Sequence, residues 1–217
     1  MSKPYVIVIS RQFGSGGHEI GVKLAEKLGI PLYDKEILAK VAEEKGIEEE
    51  RLHKMDENLM GNHLQNVGIQ AACFRQFNPG YLFETDTSAV ISRNHAFEWQ
   101  SAVIRKLAEE GSCIIIGRCA DYVLRDHPGL ISVFISAPLM VREARIARLH
   151  PDHPREFRET HLQFIERTDK VRESYYHYHT DRDWKNIDHY HICADSSKLG
   201  IDGTVELLAN YVSYALK

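Results

Sequence analysis

The sequence predicts a three-layer α/β domain, a parallel sheet of about five strands with helices on both faces. Three observations carry this expectation. A short apolar run, a glycine-dense turn and an amphipathic helix follow one another between Tyr5 and Gly29. The same strand-then-helix step recurs along the chain. A later segment, Cys113–Ile116, is apolar without interruption, as a strand covered on both faces of a parallel sheet must be.

The first step is Tyr5 to Ile9 as strand, Ser10 to Gly17 as turn and a helix that ends at Gly29. Gly14, Gly16 and Gly17 admit positive φ and close backbone approach, so successive amides can converge on an anion at the start of the following helix. The expected ligand is a phosphate. Ile20, Leu24 and Leu28 recur every four residues and give the helix one apolar face. The loop departs from a Walker A sequence: with Gly14-Ser15-Gly16 set on its G-x-G, Arg11 stands where the first glycine is expected and Gly17 where the lysine is. His18 and Glu19 follow where a metal-binding hydroxyl belongs. The candidate phosphate- and nucleotide-binding set is therefore Arg11, Gly14, Ser15, Gly16, Gly17, His18 and Glu19, with Arg11 expected to take over part of the lysine's role. The competing reading is a strand-to-helix turn that binds nothing.

Ile30 to Tyr33 reads as a second strand, and Asp34 as the cap of a helix from Lys35 to Lys45 that Gly46 stops. Asp34 also lies near a strand end, where α/β proteins place ligand-contacting groups. From Ile47 to Glu84 no period is sustained, and the stretch reads as a cap. A helix beginning near Asp86, with Val90, Phe97, Ile104 and Leu107 on one face and Gly111 as terminator, leads into Cys113–Ile116. Arg118 then projects from the ligand-binding edge of that strand. Leu130 to Ile135 is a further buried strand. Ala137-Pro138 opens a helix through Leu149, with Arg142, Arg145 and Arg148 in a stripe opposite Met140, Ala144 and Ala147. After the break at His150 to Pro154 a second helix runs to about Tyr176, and the two arginine-bearing helices read as a lid. Aromatics crowd its return segment, where they either anchor the lid or contact a base. Tyr190 to Cys193 reads as the last strand and Asp202 to Leu216 as the closing helix.

A net charge of −4 argues against a dedicated nucleic-acid binder, whose phosphate contacts demand a basic excess. The longest apolar runs are strand-sized and the chain enters a strand within its first residues, so neither a membrane span nor a signal peptide is expected; the predicted location is the cytoplasm. The four cysteines form no C-x-x-C pair, so neither disulfides nor a cysteine zinc site is expected. Histidines cluster between His150 and His191, but no spacing there supports a metal site.

Taken in order, Ile9-Ser-Arg-Gln-Phe-Gly-Ser-Gly-Gly17 with Ile20-Gly21, Ile30-Pro-Leu-Tyr-Asp34, Ile115-Ile-Gly-Arg118 with Ala120-Asp121, Arg142-x-x-Arg145, Asp169-x-x-Arg172, Trp184 and the Tyr190 segment resemble the cytidylate-kinase-like family, related to the P-loop nucleoside monophosphate kinases. That resemblance spans almost the whole chain. It implies a P-loop NTP hydrolase-like fold with strand order 2-3-1-4-5 in one domain, with residues 49–85 as the acceptor-binding cap and 150–184 as the lid. It further implies ATP and Mg²⁺ as cofactors and a small-molecule nucleotide as partner. Arg118, with Asp34, would meet the acceptor, and Arg142, Arg145 and Arg172 would clamp the transferring phosphate as catalytic residues. Cys119 replaces an aspartate that normally follows Arg118 in true cytidylate kinases, which bears on pyrimidine recognition. The expected activity is ATP-dependent phosphoryl transfer to a nucleoside monophosphate or related small acceptor. The alternative is a catalytically inactive nucleotide-binding or sensing module, favoured by the missing lysine and hydroxyl.

Overall fold

In a computed structural model, which describes residues 4–34, 36–46, 87–152 and 159–216, the chain forms a five-stranded parallel sheet. The elements are β1 (Val6–Arg11), α1 (Gly17–Leu28), β2 (Leu32–Tyr33), α2 (Glu36–Lys45), α3 (Thr87–Glu110), β3 (Cys113–Ile116), α4 (Ala120–Val123), β4 (Leu130–Ser136), α5 (Leu139–Leu149), α6 (His161–Thr180), β5 (Ile192–Asp195) and α7 (Ser196–Ala215). The strand order is β2-β3-β1-β4-β5, with Val6 opposite both Cys113 and Leu130. This is the order expected from the resemblance. The cap assigned to residues 49–85, Lys35 and the lid's residues 153–158 lie outside the described residues.

The alternation of the strands sorts their side chains into two cores. Val6, Val8, Cys113 and Ile115 face α2 and α3 through Ile37, Val41, Ile104 and Leu107. Ile7, Ile9, Ile114, Ile116 and Ile135 face α1 and α7 through Ile20, Leu24, Val205 and Leu208. Gly21 permits the close approach of α1: a Cβ there would come within 2.7 Å of Ile116 Cδ1. Lys23–Asp202 and Lys27–Glu206 pairs link the outer edges of α1 and α7.

A third cluster, of Cys119, Phe134, Tyr175, Tyr176, Trp184 and Tyr190, docks α6 beside the carboxyl ends of the strands. Of the crowded aromatics, Tyr175, Tyr176 and Trp184 are thus packed into the fold. Beneath them the Tyr176 hydroxyl donates to Asp121 Oδ2 at 2.6 Å, while Asp121 Oδ1 is buried without a hydrogen-bond partner among the described residues. Burial pushes the Asp121 pKa above its ordinary 3.8. As pH rises, the unfolded chain therefore loses this proton first, and the native state is destabilised relative to it until the native carboxyl ionises in turn. Urea unfolding at about pH 4 and about pH 7.5 should show Asp121→Asn gaining on the wild type at the higher pH, because only the wild type carries this penalty.

Four sequence expectations are corrected. The last strand is Ile192–Asp195, not Tyr190 to Cys193, because Tyr190 turns its ring into the aromatic cluster and its hydroxyl donates to Trp184 O at 2.7 Å. The closing helix begins at Ser196, with Asp195 accepting from Ser197 N, and bends at Gly200 (φ 66°); that glycine hid its first turn from a periodicity reading. On α5 the expected faces are mixed: Met140 is 82% exposed and Ala144 is exposed, while the arginine stripe is split, with Arg142 buried beside Ile146, Arg145 half-buried and Arg148 exposed. Helix α6 begins at His161, where Thr160 and Gln163 form a reciprocal capping box, and continues to Thr180.

Candidate functional site

Strand β1 delivers the glycine loop to the carboxyl edge of the sheet. Gly14 and Gly16 take positive φ, 78° and 83°, and Gly16 caps α1. The preceding amides are already committed. Gln12 N donates to Ile135 O, Phe13 N to Asp169 Oδ1 at 2.7 Å, and Ser15 N to Gln12 O. The Ser15 hydroxyl is turned into the loop, donating to Gln12 O, and Ser196 Oγ holds Ser15 O at 2.6 Å. The first amides of α1, those of Gly17, His18 and Glu19, are the ones that helix geometry leaves for an anion.

Two arginines, Arg145 and Arg11, approach the loop and are placed differently. The Arg145 guanidinium lies against Gly16, 3.1 Å from where a Cβ would sit, and Glu19 Oε2 accepts from its Nη1 at 3.0 Å. Arg11 folds across Gly17, then carries its guanidinium under Gly117, which must lack a side chain to admit it. There Arg11 Nη2 stands 4.0 Å from Asp34 Oδ1. Arg145 therefore sits beside the loop, and Arg11 at the Asp34 and Gly117 end of the strands. His18, largely exposed, approaches Asp34 Oδ2 at 3.5 Å.

A cleft of about 190 Å³ opens at this edge between β1, β3 and α6. Arg11, Arg118 and Arg172 line it, Asp34 is the one carboxylate among its described lining residues, and Tyr175, Tyr176 and Trp184 form an aromatic side. Arg172 donates to Arg11 O at 3.0 Å and lies over the Phe13 ring. Arg118 donates through Nε to Asp34 O and through Nη1 to Gln100 Oε1. It stands in a run of three left-handed residues, Gly117, Arg118 and Cys119 (φ 69°, 58° and 53°), a conformation that costs non-glycine residues energy and recurs at functional sites.

Burial lowers the Arg172 pKa, and Arg11 lowers it further; burial lowers that of Arg11 too, against the pull of Asp34. Guanidinium keeps its proton throughout the physiological range, so these shifts register first the burial of two charged groups and only second their repulsion, both of which an anion would offset.

Arg142 does not line the cleft. Its Nε donates to Ala137 O, and its Nη1 to Phe13 O and to Asp169 Oδ2 at 2.6 Å, so it braces the loop from behind. The structure thus brings Arg11, Asp34, Arg118 and Arg172 together, sets Arg145 and Glu19 beside the loop, and keeps Arg142 beneath it. Sequence reasoning missed Gln100, whose signal was one polar residue among the apolar positions of α3. It also gave Asp169 no role, although its carboxylate joins loop, α5 and α6.

A model of the cytidylate kinase-like family matches residues 6–198. No curated protein sequence matches the chain. Among solved structures, an uncharacterized protein from Eubacterium ventriosum ATCC 27560 is 27% identical, with 98% of this chain and 99% of that one covered and a TM-score of 0.67. A shikimate kinase from Bacteroides thetaiotaomicron (12% identity, 96% and 98% covered, TM-score 0.52) and a gluconokinase from Sinorhizobium meliloti 1021 (14%, 100% and 95%, 0.51) share the fold. No helix among the described residues is long and apolar enough to cross a membrane.

Proposed function

The chain belongs to the cytidylate kinase-like family, and from that membership we propose that it transfers the γ-phosphate of ATP to a nucleoside monophosphate or related small acceptor in the cytoplasm. The observation that carries this reading is the convergence of Arg11, Arg118 and Arg172 on one cleft beside a glycine loop that has Arg145 against it. These charges come from β1, the β3 turn, α5 and α6, and so surround a ligand from several directions. Such an arrangement suits the spread negative charge of a phosphoryl group in transfer better than one face of a bound nucleotide.

In this mechanism the α1 amides and Arg145 hold the donor phosphates, with Glu19 fixing the guanidinium. Arg118 binds the acceptor, and Arg172, with Arg11 behind it, neutralises the equatorial oxygens as the acceptor oxygen approaches. Arg142 is a positioning residue that keeps the loop in place. No cluster of three or more His, Cys, Asp or Glu that could hold a metal occurs among the described residues, which suits an ion carried in on phosphates. Asp34 is the carboxylate that would meet such a Mg²⁺, whose charge would offset that of the transferred group. Residues 150–184 act as the lid over this site, and residues 49–85 as the acceptor cap.

Arg145→Ala should weaken ATP binding by about tenfold to a hundredfold, the value of one charge-assisted contact. Arg11→Ala should leave it within about threefold and act on the acceptor instead. Calorimetry with ATP checks both, and the opposite ranking would return the lysine's role to Arg11. A second reading, binding without turnover, rests on Gly17 and His18 standing where a catalytic lysine and a metal-binding hydroxyl are expected. Labelled phosphate appearing on an acceptor excludes it; ATP binding alone does not.

A further inference from the structure

Gln100 is 1% exposed on the face of α3 that otherwise buries Val103, Ile104 and Leu107, a costly position for an amide unless its groups are satisfied. They are. Gln100 Oε1 accepts from Arg118 Nη1 at 2.9 Å, and Gln100 Nε2 donates to Arg118 O and to Tyr175 Oη, both at 3.3 Å. The amide can face only one way, because a guanidinium offers donors alone and a carbonyl accepts alone. One buried side chain therefore grips both ends of Arg118, its strained backbone and its charged tip, and ties them to α6 through Tyr175.

We propose that Gln100 is a positioning residue for Arg118: it holds the left-handed turn and aims the guanidinium into the cleft with a neutral oxygen, adding no negative charge where an anion is to bind. The inference rests on the reading of Arg118 as an anion-binding residue and names what makes it one. A leucine or methionine at this position removes the grip. A glutamate keeps an oxygen acceptor for Arg118 but places a carboxylate where the incoming anion would have to compete with it.

The test follows the Arg118 Nε–Hε nuclear magnetic resonance signal, identified as the one lost in Arg118→Lys, through a titration with inorganic phosphate. In the wild type the signal should shift saturably. Gln100→Leu and Gln100→Met should weaken the phosphate affinity read at this signal by about tenfold, and Gln100→Glu by at least as much. If the leucine variant does not fold, the methionine and glutamate variants decide. A filler role alone would leave the phosphate affinity of Gln100→Met, which fills the same space without the amide, unchanged. That result, or a wild-type signal indifferent to phosphate, overturns the proposal. Failure of phosphoryl transfer with the titration intact would instead reject the kinase reading and leave the role of Gln100 standing.

Discussion

Asp169→Ala should lower the free energy of unfolding by about 3–5 kcal/mol, the largest single-residue effect expected outside the apolar core. The Asp169 and Arg142 side chains are only 10% and 9% exposed and meet at 2.6 Å. Removing the carboxylate strands a buried guanidinium and at the same stroke leaves the Phe13 amide without its acceptor. Either loss is costly because neither group can turn to water without opening the packing of α5 against α6. Asp169→Asn should be milder, since an amide oxygen can still accept from Phe13 N. Urea unfolding measures both. As a contrast, the Lys27–Glu206 pair is nearly as short, at 2.8 Å, but exposed, and Glu206→Ala should be indistinguishable from the wild type in the same measurement.

Gly16→Val should reduce ATP affinity by about a hundredfold or more. The backbone there has φ 83°, a region that a β-branched residue scarcely enters, and a Cβ would run into Ile201 Cδ1 and stand 3.1 Å from the Arg145 guanidinium. The loop would have to turn, taking the first α1 amides out of alignment and pushing away the cation beside them. Calorimetric titration with ATP checks the loss. Circular dichroism should show the secondary structure retained, because the strands lie outside the altered turn and only Ile201, at the margin of one core, is displaced.

The parts of the fold set by repeated apolar residues were legible in the sequence. Cys113–Ile116 could only be a strand buried on both faces, and Ile20, Leu24 and Leu28 could only be one side of a helix. The glycine loop was legible because few other roles need Gly14 and Gly16 so close together after a strand. What escaped was set by long-range polar pairing, which leaves no period. Arg142, Arg145 and Arg148 look alike on a helical wheel, yet Arg142 is drawn inward by Asp169, Phe13 O and Ala137 O, while Arg145 leans on Glu19 and Gly16. Arg11 is nearest the loop in sequence, but the space left by Gly117 takes its guanidinium away from the loop and toward Asp34. Gln100 looked like a blemish on an apolar helix until Arg118 was placed beside it. The shift of the last strand from Tyr190 to Ile192 has the same origin, one hydroxyl finding Trp184 O.

The central claim is that arginines from separate elements stabilise a phosphoryl group in transfer. The most direct measurement incubates the purified protein with γ-labelled ATP, Mg²⁺ and, in turn, nucleoside monophosphates, nucleosides and small alcohols, beside Arg172→Ala under identical conditions. The account predicts labelled product from at least one acceptor in the wild type, and in Arg172→Ala a fall in kcat that exceeds the rise in KM for ATP. ATP that binds while no acceptor receives label above the Arg172→Ala background would contradict it and leave a nucleotide sensor in its place.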